Sequence, residues 1–126
     1  MSSQNWAEYG FGLVLTGDET EKFVTKVLGE EYDAYDLVEV PEFEGYARYY
    51  GSDTEGQCFS PAGKNGKSVE NEDMLAFWAE RQQDAFKAQY TEDSVVEEFR
   101  NKIGKYLPED FNYIGHIGYF SCCMYG

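Results

Sequence analysis

Apolar residues recur at every second position in Trp6–Thr16 (WAEYGFGLVLT), where Ala7, Tyr9, Phe11, Leu13 and Leu15 share one face. A period of two predicts a β-strand. The opposite face carries Gly10, Gly12 and Val14, which leaves room for a close neighbour. The period then lengthens. Phe23, Val24, Val27 and Leu28 form the apolar stripe of a helix over Asp18–Leu28, with Asp18 and Glu21 at capping-box spacing and Gly29 as the stop.

The middle of the chain is less periodic. The acidic stretch is ambiguous in secondary structure: Leu37–Val40 is a strand candidate, which Pro41 would end or place at an edge. Phe43–Tyr50 (FEGYARYY) predicts another, with Phe43 and Tyr49 on one side and Tyr46, Arg48 and Tyr50 on the other. Gly51–Lys67 is rich in Gly, Ser, Pro and Asn and predicts a long loop or hairpin. Glu72–Tyr90 predicts a helix capped by Asn71, with Leu75, Trp78, Phe86 and Tyr90 turned inward. Ser94–Ile103 is helical too, through Val95, Val96, Phe99 and Ile103, either as a separate helix capped by Thr91 or as the end of one long bent helix, and it is ended by Gly104 and Pro108. Asn112–Tyr125 (NYIGHIGYFSCCMY) is apolar on both faces and predicts a central strand paired with the first. These elements make residues 1–126 one α+β domain. The expected architecture is a mixed or antiparallel sheet of about four strands, with two to three helices packed on one face.

Composition sharpens this picture. Aromatics are 17% of the 126 residues, with 11 Tyr and 9 Phe, enough to build a core largely from rings and to argue against disorder. The net charge is −14, from 24 acids and 10 bases. Such a molecule repels nucleic acid and anionic membrane unless a basic patch intervenes. The two basic groupings, within Gly63–Ser68 and Arg100–Lys105, do not outweigh their surroundings. No stretch approaches the roughly 20 apolar residues of a membrane span. The opening MSSQNWAEYG lacks a leader pattern, and three cysteines are no disulfide framework, so a cytoplasmic protein with reduced thiols is expected.

Reactive motifs fail on spacing. GKNGKS has Pro61 where a phosphate-binding loop needs its first glycine. Gly10-Phe11-Gly12 lies inside a strand, whereas a dinucleotide fingerprint follows one. His116 and Cys122 would lie about 20 Å apart on an extended chain, too far to share a metal, and Cys122 and Cys123 would point to opposite faces. Cys58, Cys122 and His116 are the only obvious reactive candidates, and a Cys–His pair would need Cys58 to fold next to His116. The expectation is therefore no catalytic residue, no metal, no cofactor and no enzyme.

What remains is charge. Residues 30–46, EEYDAYDLVEVPEFEGY, hold seven carboxylates and no base. From Glu30 to Glu55 there are nine acids against Arg48 alone, more than half of the net −14. Concentrated charge costs stability through self-repulsion, whereas solubility needs only dispersed charge. Tyrosine beside carboxylate suits Arg and Lys, through bidentate pairing and cation–π contact. The candidate binding set is Glu30, Glu31, Asp33, Asp36, Glu39, Glu42 and Glu44 for electrostatics, with Tyr32, Tyr35 and Tyr46 packing. The competing reading is a solvated acidic face.

The densest basic surfaces are nucleic-acid-binding clefts. In profile the chain resembles phage and plasmid inhibitors of restriction or CRISPR systems, which are short, single-domain, acidic and aromatic. That resemblance implies an inhibitor of a basic nucleic-acid-handling partner, acting as a nucleic-acid mimic in one version. Asp33, Asp36, Glu39 and Glu42 recur every three residues. They would stand about 10 Å apart on an extended chain and about 4.5 Å apart on a helix, against about 3.4 Å per phosphate step, so mimicry requires a helix here or acids converging from other elements. The alternatives are an immunity or antitoxin-like partner of a basic toxin, and a small-molecule-binding module with an aromatic cavity beneath the Gly-rich strands.

Overall fold

The structure is a computed structural model that describes residues 5–51, 58–60, 67–69, 73–79 and 92–125. It is an α+β domain with an antiparallel sheet. The strands are β1 (Asn5–Thr16), β2 (Ala47–Tyr50), β3 (Cys58–Ser60), β4 (Lys67–Val69), β5 (Met74–Trp78) and β6 (Ile117–Tyr125). Their order is β2-β5-β1-β6-β3-β4. The long body is β2-β5-β1-β6, and the short hairpin β3–β4 extends it beyond β6. The first and last strands pair as expected, in a register running from Asn5 opposite Tyr125 to Leu13 opposite Ile117.

The helices are α1 (Asp18–Val27), α2 (Ala34–Val38), α3 (Glu92–Ile103) and the single turn α4 (Tyr113–His116). α1, α2 and α3 share one face of the sheet. There Leu13 and Leu15 of β1 and Leu75 and Phe77 of β5 meet Phe23, Leu37, Val95, Phe99 and Ile103, all 1% exposed or less. Phe23 is the hub, with its ring 5.1 Å from Phe77, 5.6 Å from Tyr106 and 5.9 Å from Phe43. Val14, Tyr50, Met74, Ala76 and Phe120 are buried on the opposite face.

Gly10 and Gly12 do the work their positions suggested. A Cβ on Gly12 would lie 1.9 Å from the Phe77 carbonyl oxygen, and one on Gly10 would lie 2.3 Å from Trp78 Nε1. Only glycine lets β5 and the Trp78 ring come this close.

Five expectations are corrected. Met74–Trp78 is a strand, not the start of a helix, because MLAFW is buried on both faces and alternates between the two cores. The rest of that predicted helix, and the Asn71 cap, fall outside the described residues. Leu37–Val40 is not a strand, because Asp33 and Asp36 close a capping box that starts α2 instead. The box expected at Asp18 and Glu21 is absent, since Gly17 is the cap of α1 and offers no side chain. Finally, β2 begins only at Ala47, after turns through 41–46, and β6 begins at Ile117, after α4. The Asn112 side chain accepts from the Gly115 N–H at 3.1 Å and holds that turn.

Candidate partner-binding face

Residues 29–46 cross the helical side of the domain between α1 and β2. Gly29, at φ 111°, turns the chain out of α1. Asp33 accepts from the Asp36 N–H at 3.1 Å, and Asp36 accepts from the Asp33 N–H at 3.1 Å. Two like charges are thus held next to each other, each stabilised by a backbone dipole at a helix start. α2 buries Ala34 and Leu37, while Tyr35, Asp36 and the following Glu39 face solvent. Phe43 pins the far side of the stretch, fully buried against Phe23 and Phe77.

The ten predicted binding residues divide into four groups. Glu30, Glu31, Glu39 and Glu44 are exposed and enter no ion pair among the described residues. Tyr32 and Tyr35 are exposed by 48% and 55%, and the Tyr35 ring is braced edge-on against Tyr49 at 4.7 Å. Asp33 and Asp36 are exposed but also cap α2. Two depart from the expected role. Glu42 leaves the acidic row: it accepts from the Tyr106 hydroxyl at 2.8 Å and pairs with Lys105 at 3.4 Å. Tyr46 turns inward, its ring 6.0 Å from Phe77 and capped by the Lys102 ammonium at 5.0 Å. Burial, with the charge of Glu42 next, pushes its hydroxyl up to about 12. It lies on the Phe77 side of the sheet and not with Arg48 and Tyr50, because the turn at 41–46 precedes the strand.

Asp33, Asp36 and Glu39 therefore stand at helical spacing, and Glu42 does not continue the row. Asp53 and Glu55, like Glu80 and Asp84, lie outside the described residues. The basic grouping at Arg100–Lys105 is matched base by base. Arg100 pairs with Glu97 at 3.2 Å, Lys102 with Glu98 at 3.2 Å, and Lys105 with Glu42.

The reactive candidates also have positions. His116 Nε2 lies 2.6 Å from Glu19 Oε2, and its Nδ1 lies 2.7 Å from the Asn112 carbonyl oxygen. Two oxygen acceptors at two ring nitrogens favour the doubly protonated ring. The Glu19 hydrogen bond raises the His116 pKa, against half-burial and with help from Asn112. Half-burial works to raise the pKa of Glu19, but the hydrogen bond and charge of His116 outweigh it and the net shift is downward. Cys58 lies opposite Cys122, well along β6 from His116. GKNGKS reaches the described residues only at Lys67 and Ser68 of β4.

Among the described residues no helix is long and apolar enough to cross a membrane. No family model, no curated protein and no solved structure matches the chain.

Sequence reading missed a cavity of about 310 Å³ beside this face, between α1, the turn at Glu30–Asp33, Tyr49 and Asp73. Its walls come from positions distant in sequence, and no local pattern announces them.

Proposed function

We propose that the protein is a non-enzymatic acidic binding module that docks on a basic protein surface, of the kind that handles nucleic acid, and blocks it. One observation carries this reading. The carboxylates of Glu30, Glu31, Glu39 and Glu44 are exposed with no cationic partner among the described residues, while every base of the Arg100–Lys105 grouping is matched internally. Unmatched charge of one sign attracts a complementary surface and speeds its encounter. Tyr32 and Tyr35 flank the charge with exposed rings, the residue type that anchors many interfaces. The room over Gly10 and Gly12 is filled by Trp78 and the Phe77 carbonyl.

The test is capture of partners on immobilised protein from nuclease-treated bacterial lysate, with low-salt and then high-salt washes. The expected result is one basic nucleic-acid-binding protein that salt or added DNA displaces. A variant with Glu30, Glu31, Glu39 and Glu44 all changed to Lys should keep its fold and lose that protein. Equal capture by this variant would refute the placement of the face. A captured cognate toxin would point to the immunity-type partner instead.

A further inference from the structure

The strand register brings two cysteines to one position. β3 pairs with β6 so that Cys58 stands opposite Cys122 and Phe59 stands opposite Ser121. Residues directly opposite each other in an antiparallel pair share a face of the sheet, with Cα atoms about 4.5–5.5 Å apart. A disulfide spans Cα separations of about 4.4–6.8 Å, so this position lies within its reach whichever kind of antiparallel pair it is. The third cysteine is placed differently. Cys123 follows Cys122 directly along β6, so it belongs to the other face, and its register partner on β1 is Ala7. The fold therefore selects one pairing, Cys58 with Cys122, from those that three cysteines allow.

The pair also sits at a seam. β1 and β6 stay in register from Asn5 to Leu13, whereas among the described residues β3 meets β6 only at Cys58 and Phe59. The β3–β4 hairpin, paired from Cys58 opposite Val69 to Ser60 opposite Lys67, joins the end of the sheet through that short ladder. A covalent link at Cys58 would fasten it. We propose that Cys58 and Cys122 are a redox-responsive pair, open in a reducing compartment and closed to a cross-strand disulfide when a small-molecule disulfide accumulates. The thiolate of one cysteine attacks a sulfur of that disulfide, forms a mixed disulfide and expels one thiolate. The thiolate of the other attacks the protein-bound sulfur, closes the Cys58–Cys122 bond and expels the second. Two electrons and two protons leave the protein, and the small disulfide departs as two thiols. The closed form is transient where thiols are kept reduced, which is how disulfides behave in such compartments.

The test uses the full chain, reduced, freed of reductant without air, and equilibrated with oxidised glutathione at slightly alkaline pH, where thiolates form. Remaining thiols are blocked with N-ethylmaleimide and counted by intact mass. The reduced protein should take three labels and the oxidised protein one, as a monomer without bound glutathione. Peptide mapping should find Cys58 joined to Cys122 and the label on Cys123. Cys123→Ser should still close the bond and keep no label. Cys122→Ser should instead hold glutathione as a mixed disulfide on Cys58. Oxidation should raise the urea midpoint of the wild type by roughly 1–2 M, because a link between positions far apart in sequence restricts the unfolded chain. Dithiothreitol should reverse the rise. Mixed disulfides without a closed bond, a bond through Cys123, or a bond between two copies would overturn the proposal. So would a midpoint that oxidation leaves unchanged or lowers, since the bond would then not fit the native register. Labelling and mapping of the wild type decide the pairing even where a variant fails to fold.

Discussion

Two parts of this domain carry dense charge and use it in opposite ways. On and just after α3, Arg100, Lys102 and Lys105 each meet a carboxylate within 3.4 Å. Across the turn and helix at 30–44, seven acids share no base of their own, and among the described residues only Glu42 reaches a cation, borrowed from the α3 side. The first region has closed its electrostatics internally. The second has left them open. Charge density is the same kind of signal in both, so density alone says little about function. Balance is the informative quantity, and it becomes visible only when the fold shows which charges meet.

The largest effect should come from the seam between the two regions. Phe43 is fully buried and packs on Phe23, Phe77 and Tyr106, so it fastens the acidic stretch to the core and to the end of the α3 region. Phe43→Ala should cost about 3–5 kcal/mol in urea unfolding, as deletion of a buried ring does. A cost under about 1 kcal/mol would mean that the acidic stretch is not anchored there. Asp33→Ala should act locally. It removes one half of the capping box and should cost about 1 kcal/mol, read as a lower Tm with the sheet intact.

The pair of Glu19 and His116 offers a pH test outside both regions. The His116 pKa is raised above 6.5, so its contribution is complete below about 6.5 and is lost as pH rises through the raised value. The Glu19 pKa is lowered below 4.5, so its contribution is complete above about 4.5 and is lost as pH falls through the lowered value. The bridge is therefore whole between those limits. The Glu19 side chain is 42% exposed and screened, so the contribution should be about 1 kcal/mol or less. His116→Gln should flatten the stability profile above pH 6.5, and an unchanged slope there would remove the bridge from the account. Smallest of all should be Glu97→Gln. Its pair with Arg100 is 61% and 56% exposed, and a change of at most about 0.5 kcal/mol is expected by thermal unfolding. Silence at Glu97 beside a measurable loss at Asp33 would sharpen the contrast between the two regions.

Much of the fold was readable where one face alone is buried. The alternation of Phe11, Leu13 and Leu15 marks β1, and the stripe of Phe23, Val24 and Val27 marks α1. Reading failed where both faces are buried. Met74–Trp78 is continuously apolar, so its period vanishes, and the acids before it resemble a helix start. α2 was missed for the opposite reason, because five residues are too few to show a period and its cap uses aspartate at both positions. The acidic face was legible as composition. The inward turn of Tyr46 and the capture of Glu42 by Tyr106 were not, because both depend on contacts with Lys102, Lys105 and Tyr106 far along the chain. The cavity at Thr20 was invisible for the same reason.

The strand order also bears on how the chain is made. β1 is synthesised first, yet it lies between β5 and β6, and its Asn5 end waits for Tyr125. At about 5–20 residues per second, translation leaves β1 without its β6 neighbour for on the order of ten seconds. During that interval the β6 side of a central strand behaves as a sheet edge, open to another nascent copy. Pairings between such distant segments also close slowly after release. Soluble yield should therefore depend on how many copies are being made at once, and weaker induction should recover protein that strong induction loses to aggregates.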